Sequence, residues 1–371
     1  MSETPNQPTS LYDLLLARTP RIPVTLLLIT ANLVVFVLML GAGAGLWHSN
    51  NEVQLAWGAN FGPATQDGQW WRLGSALFLH FGLLHIALNM WALADGGRLA
   101  ERMYGPLRFT LIYFASGLFG NLLSLVVQGN QAVSGGASGA IFGVYGALLV
   151  FLWRERKKLD RREFRWLFLG GLAFTCVSIS LGLFVPGIDN SAHIGGLLAG
   201  ALAGVLFGRR LEENSAWPWP PRAACAALLT GAVGLLLTQL PVPSYRWSEE
   251  VAARQEIQEF LARETRIQAS WQDIQRQDPA SFQELAERIE YEIAEPYEES
   301  FEQLSELKLN QAAPSAARLK SLRAYSEQRR NSSQALAQQL RMRSQFGPGS
   351  PNRLGAPYNM PAPPAADKPA P

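Results

Sequence analysis

The chain is poor in the residues from which many soluble enzymes build metal or disulfide sites. It has only two cysteines and four histidines among 371 residues. Cys176 and Cys225 each lie inside an apolar run, which indicates small buried hydrophobic side chains. Neither a zinc-ligand spacing nor a glycine-rich phosphate loop occurs in the sequence. We therefore expect no metal site and no cofactor.

An excess of charge of one sign is also missing. The 32 lysines and arginines nearly balance the 30 aspartates and glutamates, which leaves a net charge of +2. Proteins that bind nucleic acids normally carry a basic surplus that neutralises phosphates. The composition therefore gives no support for a nucleic-acid partner.

Long apolar runs, in contrast, fill the chain up to about residue 240, and a polar region follows. A helix needs about 20 predominantly apolar residues to cross a lipid bilayer. The sequence therefore predicts an all-α, polytopic membrane helical bundle. Seven segments are predicted to span the membrane: 23–45, 80–98, 106–128, 135–153, 166–185, 191–208 and 223–240.

Basic residues are concentrated in alternate loops between these segments. The loop 154–165 holds seven lysines and arginines, whereas the loops 129–134 and 186–190 hold none. Cytoplasmic loops of membrane proteins carry the excess of basic residues. We therefore expect a cytoplasmic N-terminus and, after seven spans, a C-terminal region outside.

The polar region after the spans has two parts. Residues 245–310 carry many Glu and Gln with apolar residues at helical spacing, which predicts amphipathic helices. From about residue 345 the chain is too rich in Pro and Gly to pack. The helical part is either a docking module or a loosely ordered appendage, and its few large apolar residues favour the appendage.

These observations divide the chain into five parts. The predicted parts are a short cytoplasmic N-terminus (1–22), a membrane core (23–210), a linker with an extra transmembrane helix (211–240), an extracytoplasmic helical region (241–344) and a disordered Pro/Ala-rich tail (345–371).

Polar groups gather at one depth of the predicted bundle, near its outer surface. Ser138, in the stretch SGGASGAIFG, follows one outer loop, and His193 follows another. The span 80–98 also begins outside, and its first ten residues include His80, His85 and Asn89. Polar groups at membrane depth are costly and are functional candidates.

Glycine stripes predict how two of these groups meet. The predicted spans 135–153 and 191–208 carry glycines at every fourth position, which lets helix backbones approach closely. Ser138 borders one stripe, and His193 begins the other. If the stripes pack on each other, Ser138 and His193 meet near the outer end. The alternative that these glycines serve packing alone stays open.

Serine becomes a nucleophile when a base within hydrogen-bond reach takes its proton. We therefore predict a dyad of Ser138 as nucleophile and His193 as base. Asp189 lies in an outer loop and is expected to be solvated, so no third member is evident. Phe142 follows Ser138 by one helical turn and is expected to stack on the imidazole.

A developing oxyanion would need hydrogen-bond donors. His85 and Asn89 lie four residues apart on one helix face, and they are predicted to supply such donors together with the Ser138 backbone N–H. His80 precedes His85 by five residues and is expected to point elsewhere. Each polar residue also has a purely structural interpretation, such as Asn89 joining two helices.

The same residues resemble a known family. HFGLLHIALN (80–89), GASG (136–139) and AHIGG (192–196) look like the three signatures of the rhomboid intramembrane serine proteases. WR at 71–72 and ERMYG at 101–105 resemble two further motifs of that family. The resemblance covers roughly residues 20–210, and the combination of motifs in this order is highly specific.

The resemblance implies a six-helix core with a water-filled cavity that opens to the outer side. It implies Ser138 as nucleophile, His193 as general base, and His85, Asn89 and the Ser138 N–H as the oxyanion site. Many bacterial members have tyrosine where this chain has Phe142, and the seventh span matches a six-plus-one arrangement. Structural roles are expected for His80, Trp71, Arg72, Glu101, Gly136, Gly139, Gly196 and Gly200.

The resulting hypothesis is a serine endopeptidase that cuts transmembrane segments near their outer end, in a bacterial inner membrane. One alternative is a catalytically silent rhomboid-like protein that binds membrane clients, although such proteins typically lack the serine or the histidine. A second is a small transporter, which would carry polar groups deep in several spans rather than in one outer layer.

Overall fold

The computed structural model describes residues 10–211, 215–277 and 281–345, and the chain divides into two compact units between Pro243 and Ser244. The described residues of the first unit form twelve α-helices: α1 (Leu11–Arg18), α2 (Pro23–Gly41), α3 (Asn51–Ala56), α4 (Gly62–Gln66), α5 (Arg72–Ser75), α6 (Leu83–Ala92), α7 (Arg98–Tyr104), α8 (Pro106–Gln128), α9 (Ser138–Glu155), α10 (Arg161–Phe184), α11 (Asn190–Phe207) and α12 (Trp219–Thr238). A 3-10 helix, Ala76–Phe78, follows α5, and a π-helical turn, Leu93–Gly97, joins α6 to α7. The prediction of an all-α bundle is confirmed.

Five helices among the described residues are long and apolar enough to cross a membrane, namely α2, α8, α10, α11 and α12. The bent pair Arg72–Phe78 and Leu83–Tyr104 makes a sixth if it forms one span. The predicted span 135–153 corresponds to α9, which is not among them. Its 18 residues include Arg154 and Glu155, and these two charges lower its mean hydropathy.

Helix α9 lies at the centre of the first unit, packed against α8, α10 and α11. Buried residues occur along its whole length, from Gly139 to Glu155. A helix that is shielded by its neighbours does not need an apolar surface on every side to be stable in a bilayer. The neighbouring helices shield α9 in this way.

The contact between α9 and α11 is made backbone to backbone. A methyl group added at Gly196 would collide with the carbonyl oxygen of Gly139, and one at Gly200 would collide with that of Gly143. Small residues at this spacing allow helix axes to approach more closely than larger side chains permit. The glycine stripes of the two helices therefore face each other.

The segment that carries the first histidines is bent rather than straight. Its two halves, Arg72–Phe78 and Leu83–Tyr104, meet at an angle of 92°. Gly82 sits in the break with φ of +156°, and a side chain there would collide with the carbonyl oxygen of Trp47. The prediction of one continuous helix over 80–98 is therefore wrong at its start, because glycine permits a turn that other residues disfavour.

Glu101 closes the N-terminus of α2 from a distance of 76 residues along the chain. Its carboxylate accepts hydrogen bonds from the Val24 N–H at 3.0 Å, and from the Thr25 N–H and hydroxyl at 2.7 Å. Helix α2 begins with Pro23 and has no side-chain cap of its own. A buried acid at this position satisfies free N–H groups and complements the helix dipole.

Arg72 fastens the long segment between α2 and α6. Its side chain is buried and donates to the Gln69 amide oxygen at 2.7 Å, and to the carbonyls of Leu55 and Ala59 at 2.8 and 3.1 Å. Trp71 is more than half exposed, and the Arg72 guanidinium lies 5.0 Å from its ring centre. Arg72 therefore acts as a crosslink within this segment.

The second unit has four α-helices within its described residues: α13 (Trp247–Arg276), α14 (Phe282–Ile289), α15 (Glu295–Glu306) and α16 (Ala316–Gln345). A π-helical turn, Glu290–Ala294, joins α14 to α15. The expectation of a loosely ordered appendage is wrong here, because apolar side chains from all four helices form one buried core. The predicted Pro/Ala-rich tail from residue 345 onward falls, beyond its first residue, outside the described residues.

A polar group sits inside this second core. Glu264 is buried, and its Oε1 accepts from the hydroxyls of Tyr297 at 3.1 Å and Tyr325 at 2.7 Å. Burial raises the pKa of Tyr297 to about 12, so its hydroxyl stays protonated and available as a donor. Buried polar groups that are paired in this way help to specify one packing arrangement.

The backbone contact between α9 and α11 predicts that Gly200→Ala is destabilising. The added methyl has no space against Gly143, so we expect a loss of about 1–3 kcal/mol in the free energy of unfolding. The matched control is Gly170→Ala in α10, where an added Cβ meets nothing within 4 Å. There we expect no loss and a gain of up to about 1 kcal/mol from helix propensity.

Thermal unfolding of the two variants in the same detergent micelle measures this difference. The Gly200→Ala variant should unfold at a lower temperature than the Gly170→Ala control. Equal unfolding midpoints would show that α9 and α11 are not in contact at Gly143 and Gly200.

Candidate active site

Ser138 is the first residue of α9, and an irregular segment leads into it. Gly136 in that segment has φ of +144°, and its N–H donates to the Ala76 carbonyl at 2.8 Å. Ser134 pairs with Asn60 through two backbone hydrogen bonds of 2.9 and 2.8 Å. The N–H groups in the first turn of a helix have no partner within it. The Ser138 hydroxyl therefore lies beside backbone N–H groups that have no partner within α9.

His193 lies in the first turn of α11 and faces this serine. Its Nε2 is 2.9 Å from the Ser138 Oγ. The Phe142 ring stacks on the imidazole, with ring centres 4.2 Å apart and planes within 10°. The structure thus brings together three of the residues that the sequence singled out.

The second ring nitrogen of His193, Nδ1, determines whether Nε2 can accept the proton of Ser138. For Nε2 to accept the serine proton, the neutral ring must carry its hydrogen on Nδ1. Nδ1 is buried and has no hydrogen-bond partner within the part of the chain that the structure describes. Ring stacking by Phe142, rather than a carboxylate, therefore holds the ring in the described structure.

Asp189 differs from its expected solvated state. Its Oδ1 accepts from the Ser191 hydroxyl at 2.8 Å and the Ala192 N–H at 3.0 Å. Its Oδ2 accepts from the hydroxyls of Ser124 at 2.5 Å and Ser134 at 2.7 Å. The expectation was wrong because a loop residue that caps a helix can also receive donors from distant segments.

These hydrogen bonds also decide the charge of Asp189. Burial works against ionisation, but the bonds from Ser124, the Ala192 N–H, Ser134 and Ser191 outweigh it and hold the pKa of Asp189 below its ordinary value. The carboxylate is therefore ionised at neutral pH. Both of its oxygens are engaged away from the Nδ1 of His193, so Asp189 is not the third member of a triad.

His85 presents a donor to the same region. Its Nδ1 accepts from the Phe81 N–H at 3.3 Å, so the neutral ring carries its hydrogen on Nε2. A Cβ placed on Gly136 would lie 3.0 Å from this Nε2 and 3.6 Å from the Ser138 Oγ. Gly136 therefore lies between the donor and the hydroxyl, and a larger residue there would fill the space between them.

Asn89 lies one turn after His85 on α6 and is buried. Its side-chain nitrogen donates to the His85 carbonyl at 2.8 Å. An amide nitrogen has two hydrogens, so one remains for a second acceptor. In this geometry Asn89 steadies the turn that carries His85.

His80 lies next to His85, contrary to the expectation from their spacing. The two ring centres are 5.0 Å apart in an edge-on arrangement, and the His80 side chain is fully buried. The spacing argument assumed a continuous helix, whereas the chain turns at Gly82. The His80 carbonyl also accepts from the buried Gln54 amide at 3.0 Å, a contact that no sequence pattern indicated.

The chain is similar to several known proteins. Residues 67–210 match the model of the Rhomboid domain. The rhomboid protease GluP of Bacillus subtilis (strain 168) is 37% identical over 226 residues, which cover 61% of this chain and 42% of GluP. Rhomboid-like protease 1 of Toxoplasma gondii is 35% identical over 184 residues, which cover 48% of this chain and 61% of that protein.

The chain therefore spans less than two thirds of each of these relatives. A shorter relative is covered more fully: the putative rhomboid protease YdcA of Bacillus subtilis (strain 168) is 34% identical over 157 residues, which cover 42% of this chain and 76% of YdcA. The apolar helices described above make the protein a multi-pass membrane protein. With a matching domain model and a relative aligned over three quarters of its length, this chain belongs to the rhomboid family.

Proposed function

We propose that this protein is an intramembrane serine endopeptidase in which Ser138 is the nucleophile and His193 is the general base. The observation that carries the proposal is the 2.9 Å separation between the Ser138 Oγ and the His193 Nε2. These atoms come from two adjacent helices of a membrane bundle. A hydroxyl within hydrogen-bond reach of an imidazole is the arrangement that activates serine.

In the proposed reaction, the Ser138 Oγ attacks the carbonyl carbon of the scissile peptide bond while His193 Nε2 takes its proton. The tetrahedral oxyanion receives hydrogen bonds from the Ser138 N–H, the His85 Nε2–H and the free amide hydrogen of Asn89. His193 then gives its proton to the leaving amine, and the acyl-enzyme remains. Water, deprotonated by His193, hydrolyses the ester and restores Ser138.

The proposed substrates are transmembrane segments of other membrane proteins. A helix engages its carbonyls in backbone hydrogen bonds, and lipid offers no replacement for them. A substrate must therefore unwind locally before Ser138 can reach a carbonyl. Small or helix-breaking residues near the cut would make unwinding less costly. The position of Ser138 at a helix end supports a cut near one membrane surface.

The proposal includes the orientation of the protein in the membrane and the role of each part of the chain. The basic loop 154–165 favours a cytoplasmic location for the end of α9 that lies opposite Ser138. The site then faces outward, in a bacterial inner membrane. Residues 23–210 would carry out catalysis and 211–240 would add a helix. The helical region 241–344 would lie outside the membrane.

The first test of the proposal is cleavage of a model transmembrane substrate in liposomes. We expect wild type to cut, and we expect Ser138→Ala and His193→Ala to lose at least about 10³-fold in kcat, because serine without its base is a poor nucleophile. Ser180→Ala in α10, an exposed serine outside the site, is the matched control and should cut like wild type.

Cleavage by Ser138→Ala at the wild-type rate would overturn the proposal. A silent wild type together with measurable binding of the substrate would favour the alternative of a client-binding protein without catalysis.

The stacking of Phe142 predicts that an aromatic ring at this position matters for the base. Phe142→Tyr keeps the ring and should retain activity, whereas Phe142→Leu should lower kcat by about tenfold, in line with the energy of an aromatic pair. The kcat and KM of both variants, measured on one substrate, check this expectation. An equal loss of kcat in Phe142→Tyr and Phe142→Leu would assign the effect to packing rather than to the aromatic ring.

The donor position of His85 predicts a loss that is confined to the chemical step. We expect His85→Ala to lower kcat by about 10²-fold with little change in KM, since an oxyanion donor acts only when charge develops. Comparison with His48→Ala, which alters an exposed histidine, controls for general effects of removing an imidazole. A large rise in KM at constant kcat would place His85 in substrate binding instead.

A further inference from the structure

Asp189 joins the two segments that carry the dyad. One oxygen is bonded to Ser191 and the Ala192 N–H, directly before His193. The other oxygen is bonded at 2.7 Å to Ser134, which begins the segment leading to Ser138. The carboxylate therefore links the serine side to the histidine side through hydrogen bonds that do not involve the reacting groups.

The glycine contacts near the Asp189 carboxylate do not by themselves fix the position of α9 relative to α11. Gly139 and Gly196 meet without side chains between them, so these two residues set how closely α9 and α11 approach but do not lock one helix along the axis of the other. The approach to Ser138 contains Gly135 and Gly136, and glycine leaves the backbone more freedom than any other residue. A hydrogen-bonded brace at the helix ends would supply the restraint that these glycines do not.

The imidazole of His193 also lacks, at its Nδ1 and within the described part of the chain, a hydrogen bond that would fix its position. The Nδ1 of His193 has no hydrogen-bond partner among residues 10–211, 215–277 and 281–345, so no group holds the ring from behind. The His193 N–H donates to the Asp189 carbonyl at 3.2 Å, and the Asp189 side chain caps the same turn. The backbone of His193, from which the ring extends toward Phe142, is therefore positioned by the Asp189 cap.

We infer that Asp189 is a positioning residue for catalysis: its carboxylate holds the Ser134 segment against the start of α11 and so keeps the Ser138 Oγ within reach of the His193 Nε2. The inference rests on the proposed function and extends it to a residue outside the dyad. A displacement of about 1 Å between reacting groups is enough to cost about 10²-fold in rate.

The ionisation state of Asp189 supports this role. Burial opposes the charge, but four hydrogen bonds hold the pKa of Asp189 below its ordinary value of 3.8. A group whose pKa is lowered on folding contributes stability above its unfolded pKa, and the contribution is lost only as the pH falls through the folded value. The brace is therefore intact throughout the neutral range.

The test compares five variants of the full chain with wild type in liposomes: the single variants Asp189→Asn, Ser134→Ala, Ser124→Ala and Ser138→Ala, and the double variant that combines Asp189→Asn with Ser134→Ala. Asn still caps α11, but its amide nitrogen replaces the oxygen that accepts from the two distant serines. Ser124 donates to that same oxygen from α8, which carries no member of the dyad, so Ser124→Ala is the matched control. The readouts are kcat, KM and the thermal midpoint.

We expect kcat to fall by about tenfold or more in Asp189→Asn, which corresponds to about 1.4 kcal/mol in the barrier. Ser134→Ala should lower kcat by a similar factor, with KM within about twofold of wild type in both. Ser124→Ala should keep kcat within about twofold. The double variant Asp189→Asn with Ser134→Ala should lose little more kcat than either single variant, because both substitutions remove the same hydrogen bond.

A wild-type kcat in both Asp189→Asn and Ser134→Ala overturns the inference, as does an equal loss of kcat in Ser124→Ala and Ser134→Ala, which would indicate general support of the fold. If Asp189→Asn does not fold, the comparison of the two serine variants decides. Failure of wild type to cut any better than Ser138→Ala would instead refute the proposed function, and the inference with it.

Discussion

The backbones of α9 and α11 touch through glycines, and the positions of the proposed reacting groups depend on this contact. With Gly196 against Gly139 and Gly200 against Gly143, the two helices lie too close for side chains to separate them. Ser138 starts one helix and His193 lies in the first turn of the other. Their separation of 2.9 Å therefore depends on this close helix packing.

A second constraint, the turn at Gly82, supplies the remaining groups. It bends the chain by 92° so that His80 and His85 come together, and it turns the Nε2 of His85 toward Gly136. The two constraints act on different helices and meet at one end of the bundle. Polar groups that are costly in lipid are thus collected at one end of the bundle, surrounded by other protein groups.

Much of the fold and the pair Ser138–His193 could be predicted from the sequence, because glycine spacing on a helix directly reports which face packs closely. The network around Asp189 could not, since Ser134 and Ser124 lie 55 and 65 residues away and no local spacing indicates that they return to it. His80 was misplaced because the spacing rule assumes an unbroken helix. The core of the second unit was missed because counting apolar residues ignores how well they align on facing helices.

Covalent labelling of the purified protein with a fluorophosphonate, followed by mass spectrometry of its peptides, tests the central claim most directly. An activated serine attacks the phosphorus, displaces fluoride and retains the phosphonyl group. The account predicts an adduct on Ser138 alone, abolished in His193→Ala while the protein remains folded. An unlabelled Ser138 in folded wild type, or undiminished labelling of Ser138 without His193, would contradict it.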